Sequence, residues 1–95
     1  MPTRRPFKFR LYLAGDSPNS VRAAANLEAL RAELLPRRSL VEVVDVLREP
    51  DRALADGIML TPAVRRLAPA PVRTVVGTLG ERAKVIQALG LPMNP

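Results

Sequence analysis

The first clear pattern along the chain is an alternation of apolar and polar residues over Phe7–Leu13. A period of two is typical of a β-strand with one face on a core, so we predict a strand here. The apolar residues that follow recur every three or four positions, at Val21, Ala24, Leu27, Leu30 and Leu34. This spacing predicts a helix of about 17 residues with one apolar stripe. Ser17 is its expected N-cap, with Pro18 in the first turn.

The middle of the chain predicts a second strand and a short helix. Residues 40–46 are mostly apolar and β-branched, which is typical of a strand buried on both faces. Strand, helix and strand within about 40 residues indicate a right-handed βαβ unit with parallel strands. A short helix is expected at residues 52–56, capped by Asp51 and ended by Gly57. Residues 58–60 are then expected to form a short strand.

Proline and glycine divide the last third of the chain. Residues 72–76 predict a strand closed by Gly77. A final helix is expected at residues 80–89, with Thr78 as its cap and Gly90 at its end.

The predicted order of elements, β-α-β-α-β-β-α, is that of a thioredoxin-like α/β fold. We therefore predict one α/β domain at residues 7–91, with a flexible N-terminal tail at 1–6 and a C-terminal tail at 92–95. Thioredoxin-like folds begin their β-hairpin with a cis proline. Pro62 follows Thr61 at the corresponding place, and the X-Pro cis form is energetically accessible.

Composition narrows the chemistry. The chain contains no Cys and no His, which removes thiolate chemistry, the usual general base and the commonest metal ligand. We expect no metal and no cofactor. No apolar run is long enough for a membrane span, and no signal-peptide core follows the N-terminus, so a cytoplasmic protein is expected.

The charge leaves one alternative open. The formal net charge is +6, and thirteen of the fifteen cations are Arg. A basic chain can bind nucleic acid. However, the cations are scattered in pairs, and three aromatic residues are too few to indicate a base-stacking platform. Solvated surface charge is the favoured interpretation, and a nucleic-acid-binding domain is an alternative.

The segment Ser17-Pro18-Asn19-Ser20 joins the first strand to the first helix. Thioredoxins and glutaredoxins place Cys-x-x-Cys at this junction, and both cysteine positions are Ser here. A nucleophilic Ser would need a neighbouring base. We therefore predict a binding scaffold and not an enzyme. A domain that binds glutathione or a protein partner without redox activity, through the backbone near Thr61, is a further alternative.

Two groups of motifs carry a more specific resemblance. The first reads Leu-Tyr-Leu-Ala-Gly at residues 11–15 and Pro-Asn-Ser-Val-Arg-Ala at 18–23. The second reads Leu-Thr-Pro at residues 60–62 and Leu-Ala-Pro-Ala-Pro-Val-Arg at 67–73. With these motifs the chain resembles the KaiB family of circadian-clock proteins and the related sensor domain of the kinase SasA.

The resemblance implies partners and not a reaction. KaiB-like proteins bind the N-terminal ring of the hexameric ATPase KaiC, in clock or stress signalling. Either KaiA or a histidine kinase is a further implied partner. Self-association of the chain as a dimer or tetramer is also implied. The positions that match family residues and could face a partner are Asn19, Arg22, Asp56 and Arg73.

The resemblance also implies fold switching, in which a ground state differs from the thioredoxin-like state in its C-terminal half. The candidate positions are Pro62, Pro69, Pro71, Ala88 and Gly90. This chain departs from the family pattern at three places. Gly57 replaces a typical Lys, Ala88 a typical Gly, and Gly90 a typical acid. Because Ala favours a continuous helix over Gly by roughly 0.5–1 kcal/mol, we predict that the thioredoxin-like form dominates.

Overall fold

A computed structural model of the protein describes residues 6–92. The predicted tails lie outside this range, apart from Pro6 and Pro92. The elements are β1 Phe7–Leu13, α1 Pro18–Leu34, β2 Ser39–Asp45, α2 Pro50–Ala55, β3 Ala63–Ala68, β4 Arg73–Val76 and α3 Arg82–Leu89. The predicted order of elements is confirmed, and residues 82–89 are helical as the thioredoxin-like form requires.

The four strands form one sheet in the order β2-β1-β3-β4. β1 and β2 are parallel, which confirms the βαβ unit, whereas β3 is antiparallel to β1 and β4 is antiparallel to β3. The first strand and first helix have the bounds that their hydrophobic periods predict.

The prediction that β2 is buried on both faces is wrong. β2 is an edge strand, and Leu40 and Val43 are 60% and 55% exposed, while Val44 is fully buried. The apolar run showed that a strand was present. Its place at the edge depends on the strand order, which the run itself does not encode.

The short strand predicted at residues 58–60 is also wrong. The N–H of Ile58 donates to the Ala53 carbonyl at 2.9 Å, so its backbone closes the end of α2 instead of joining the sheet. The third strand begins at Ala63, after a cis Thr61–Pro62 peptide. The two consecutive arginines of β3 conceal its alternation, because one of them, Arg66, is buried.

Two predicted helix caps are wrong and one is confirmed. Ser17 caps α1, and its side chain accepts from the Ser20 N–H at 3.3 Å. Glu49, and not Asp51, is the N-cap of α2. Glu81, and not Thr78, is the N-cap of α3, because Leu79 lies between Thr78 and the helix with a positive φ of 63° that no helix accepts.

The core is divided by the sheet. On one face α1 and α3 cover a cluster that contains Phe7, Phe9, Leu11, Ala23, Leu27, Leu30, Leu34, Leu35, Val64, Leu79, Val85, Leu89 and Leu91. On the other face α2 covers a smaller cluster of Tyr12, Val44, Ala53, Ile58 and Ala63. The alternation of β1 supplies both clusters, since its odd residues face one way and Tyr12 the other.

Candidate functional site

Four strand ends and the start of α1 meet at one end of the sheet. In the register, Leu13 pairs with Asp45, Tyr12 with Ala63, and Ala63 with Val76. We call this end the α1 end. Residues 46–62, which include α2, connect β2 to β3 and begin and finish there.

The segment 46–62 exposes large apolar side chains, which we call the docking surface. Its members are Leu47, Leu54, Met59 and Leu60, with exposures of 71%, 70%, 85% and 64%. Isolated exposed apolar residues are ordinary, but several of them on one short segment are typical of a surface that a partner covers.

The Asp45 side chain ties the docking surface to the start of α1. Its Oδ1 accepts from the N–H groups of Gly15 and Leu47, each at 3.0 Å. A Cβ on Gly15 would lie 3.3 Å from Leu47 Cδ1, so the two segments are in close contact. Asn19, exposed in the first turn of α1, is therefore at the same end of the molecule.

Asp56, at the C-cap of α2, is bonded to the sheet. Its Oδ2 accepts from the Tyr12 hydroxyl at 2.7 Å and from Arg10 Nη1 at 3.2 Å. Its main-chain oxygen accepts from Arg65 Nη1 at 2.8 Å. The Tyr12 hydroxyl and Arg10 both hold the pKa of the Asp56 carboxyl below its usual value. Burial raises the pKa of Tyr12, and the bond to Asp56 adds to that effect.

A second carboxylate extends this network to the edge strand. Glu42 accepts from Arg10 Nε at 2.7 Å and lies 2.6 Å from Arg52 Nη2. Hydrogen bonds from these two guanidinium groups lower the pKa of Glu42. The network thus joins β2, β1, β3 and α2 across one face of the sheet.

The two serines that replace the cysteine pair bond to each other. The Ser17 hydroxyl donates to Ser20 Oγ at 2.8 Å, and Ser20, fully buried, also accepts from the Ala14 N–H at 3.0 Å. Ser20 thereby anchors the start of α1 to the end of β1. The pair acts as a helix cap, and the sequence pattern identified only the Ser17 half of it.

The structure brings together some of the predicted partner-binding residues and separates others. Asn19 and Arg22 are both exposed on the first two turns of α1. Arg73 is exposed at the far end of β4, where it pairs in register with Arg66. Asp56 points into the sheet face and keeps 22% of its side chain exposed. Partner contact by these four residues stays a prediction.

The fold-switch candidates flank β3 and lie at the end of α3. The Pro62, Pro69 and Pro71 peptides are cis. Ala88 is exposed on α3, and Gly90 ends that helix with a φ of 64°. A second fold stays a prediction.

Sequence patterns missed Arg66, which is only 5% exposed. Its Nη1 donates to the Leu89 carbonyl and its Nη2 to the Pro71 carbonyl, both at 2.7 Å. Burial lowers its pKa. It ties the last carbonyls of α3 to the β3–β4 turn, and nothing in the Arg-Arg dipeptide distinguishes it from its partly buried neighbour Arg65.

The described range supplies no metal cluster and no spanning helix. Over residues 6–92, His, Cys, Asp and Glu do not gather in groups of three or more that could hold an ion. No helix in the same range is long and apolar enough to cross a membrane.

Comparison with known sequences gives a family match. The KaiB domain model matches residues 10–91. The circadian clock oscillator protein KaiB of Trichodesmium erythraeum is 37% identical over 90 residues, covering 95% of this chain and 86% of the relative. That of Thermosynechococcus vestitus is 38% identical over 90 residues, covering 95% and 83%.

Comparison with solved structures gives the fold. The N-terminal domain of Synechococcus elongatus SasA matches with a TM-score of 0.73 at 18% identity, covering 95% of this chain and 89% of that domain. Chloroplastic thioredoxin z matches with a TM-score of 0.72 at 22% identity, covering 92% and 78%. The predicted thioredoxin-like class is confirmed.

Proposed function

The chain belongs to the KaiB family, and on that premise we propose that it is a non-catalytic module that binds the N-terminal ring of a KaiC-type ATPase. The observation that carries the proposal is the family match over nearly the whole described chain. Its relatives are circadian clock oscillator proteins. We place its action in clock or stress signalling in the cytoplasm. Its further partners are either KaiA or a histidine kinase, and a second copy of the chain.

The docking surface supports a protein partner. Interfaces concentrate binding energy in a few large side chains that become fully desolvated, and Leu54, Met59 and Leu60 are available for such burial. Arg22 and Asn19 can supply a polar rim at the same end of the sheet. Gly57, in place of the typical Lys, removes one cation beside this surface and is expected to alter partner choice.

The serine pair supports a non-catalytic role. Ser17 and Ser20 use their hydroxyls on each other and on the N–H groups of Ala14 and Ser20. The chain has no Cys to exchange disulfides and no His to activate a hydroxyl. What is left at this place is a rigid helix start, which is suited to presenting Asn19.

The proposal is tested with the KaiC-type ATPase of the same organism. Native mass spectrometry and biolayer interferometry in ATP and in ADP should detect a complex with the ring. Met59→Glu should weaken it by at least about fivefold, the loss that corresponds to one interface residue worth more than about 1 kcal/mol. Val72→Glu is the matched control, since Val72 is also exposed (57%) but lies at the other end of the sheet.

Two results would contradict the proposal. One is that no complex forms in either nucleotide. The other is that Met59→Glu binds as tightly as the Val72→Glu control, which would place the interface away from the docking surface.

A further inference from the structure

We propose that Asp56 is a positioning residue, which orients the docking surface by clamping the end of α2 to Tyr12, Arg10 and Arg65. This inference rests on the proposed function, and it replaces the expectation that Asp56 itself faces the partner. The role would make the buried Tyr12 hydroxyl a determinant of partner affinity, although Tyr12 cannot touch a partner.

The side chain of Asp56 is held from the sheet. Its Oδ2 receives both the Tyr12 hydroxyl (2.7 Å) and Arg10 Nη1 (3.2 Å). Tyr12 is 0% exposed and packs with Val44, Ala53, Ile58 and Ala63. A hydroxyl in that setting has a fixed direction, so the carboxylate that accepts from it is fixed as well.

The main chain at Asp56 is held by a separate contact. Arg65 Nη1 donates to the Asp56 carbonyl at 2.8 Å, and the same guanidinium lies 5.8 Å from the centre of the Tyr12 ring. Arg65 Nε donates to Thr74 Oγ1 at 3.1 Å, which ties the guanidinium to β4. Both ends of Asp56 therefore bond to the sheet.

The course of the chain from Asp56 to the docking surface follows from these contacts. Gly57 turns the backbone with a φ of 73°, and Ile58 is buried, with its N–H bonded to the Ala53 carbonyl. Met59 comes next and is 85% exposed. With Asp56 and Ile58 both fixed, Met59 and Leu60 have one direction in which to project, so the partner meets a preformed surface. Preorganisation of this kind raises affinity by lowering the cost of ordering on binding.

A double-mutant cycle separates positioning from direct contact. Affinity for the KaiC-type ATPase is measured for Asp56→Ala, Tyr12→Phe and the double variant. We expect Asp56→Ala to bind roughly 5- to 30-fold more weakly, because the surface must then be ordered at the binding step. Tyr12→Phe should also bind more weakly, and the double variant should be no weaker than Asp56→Ala, because both changes remove the same bond. Asp56→Asn, which keeps an acceptor for the hydroxyl, should recover part of the affinity.

Controls and a partner-free measurement complete the test. Lys84→Gln removes an exposed charge from α3, and Val85→Ala removes buried apolar volume from the same helix, so both change the opposite face of the sheet. Both should bind as the unmodified protein does. Without a partner, hydrogen exchange of the amides at residues 57–60 should accelerate in Asp56→Ala and in Tyr12→Phe, but not in the two controls.

The outcomes distinguish the two proposals. If the unmodified chain binds and Tyr12→Phe binds equally well while Asp56→Ala does not, Asp56 contacts the partner directly and the inference is overturned. If the unmodified chain does not bind at all, the proposed function fails. In that case the hydrogen-exchange rates test whether Asp56 holds the end of α2. Unchanged rates at residues 57–60 in Asp56→Ala would overturn the inference.

Discussion

On one face of the sheet, α1 and α3 cover a cluster that contains thirteen buried apolar residues. On the other face, α2 covers a cluster of five and leaves the charged groups Arg10 and Asp56 partly exposed. The first face is packed by aliphatic side chains and two stacked phenylalanines, Phe7 and Phe9. The second is organised by hydrogen bonds from Arg10, Tyr12 and Arg65 to Asp56. Burial of apolar side chains stabilises the fold but is not directional. The hydrogen bonds on the second face fix the orientation of α2 and of the docking surface.

Two arginines show the same contrast. Arg66, on the packed face, is buried and donates only to main-chain carbonyls. Arg10, on the open face, bonds two carboxylates at 2.7 and 3.2 Å. Arg66 thus links the end of α3 to the β3–β4 turn, and Arg10 links the edge strand β2 to the end of α2.

The largest expected effect tests whether the packed face supplies most of the stability. Leu27→Ala and Ile58→Ala remove the same number of carbons from the two faces, and such changes cost about 2–5 kcal/mol. We expect Leu27→Ala near the upper end, about 4 kcal/mol, and Ile58→Ala near 2 kcal/mol, because the smaller cluster relaxes more easily. Urea denaturation measures both. An equal or larger loss for Ile58→Ala would contradict the contrast between the faces.

The prediction of intermediate size tests the link that Arg66 makes between the end of α3 and the β3–β4 turn. Gly57 and Gly90 have φ values of 73° and 64°, so Ala is strained at both by about 1–2 kcal/mol. A Cβ on Gly90 would lie 2.6 Å from Arg66 Nη1, whereas a Cβ on Gly57 meets nothing within 4 Å. Gly90→Ala should therefore cost about 3 kcal/mol and Gly57→Ala about 1 kcal/mol, since only the first displaces a bonded guanidinium.

Thermal and urea unfolding compare the two glycine variants. Equal losses of stability in Gly57→Ala and Gly90→Ala would mean that Arg66 moves aside freely and that its hydrogen bonds contribute little to stability.

The smallest effect is a pH dependence confined to the bonded face. The pKa of Asp56 is lower in the folded chain than in the unfolded one, chiefly through the Tyr12 hydroxyl. Its contribution is therefore present above the unfolded value and is lost as pH falls through the folded value. Solvent access to 22% of the side chain keeps this contribution small. Glu42, whose pKa is also lowered, gives a second acid-sensitive contribution.

The measurement is the stability difference between the unmodified chain and Asp56→Asn. We expect the difference to shrink as the pH is lowered from about 5 to about 2. A difference that does not change with pH would show that the Asp56 charge contributes nothing to stability.

Local patterns predicted the elements whose own periodicity is strong. β1 and α1 were found with their bounds, and Ser17 was identified as a cap, because these features depend on neighbours within four residues. The third strand is predicted at residues 58–60 but lies at Ala63–Ala68, because Arg65 and Arg66 break the alternation there. The candidate site was only half predicted, since Asp56 was singled out but its bonds to Tyr12 and Arg10 were not.

The sequence by itself determined the family, the order of elements and the absence of thiol and imidazole chemistry, because motifs and composition are properties of the chain alone. Only the tertiary structure decided that β2 lies at an edge, that Arg66 is buried, and that Asp56 faces the sheet. Tyr12 and Asp56 are 44 positions apart. Their contact exists because β1 and the end of α2 pack on the same face, and no local pattern carries that arrangement.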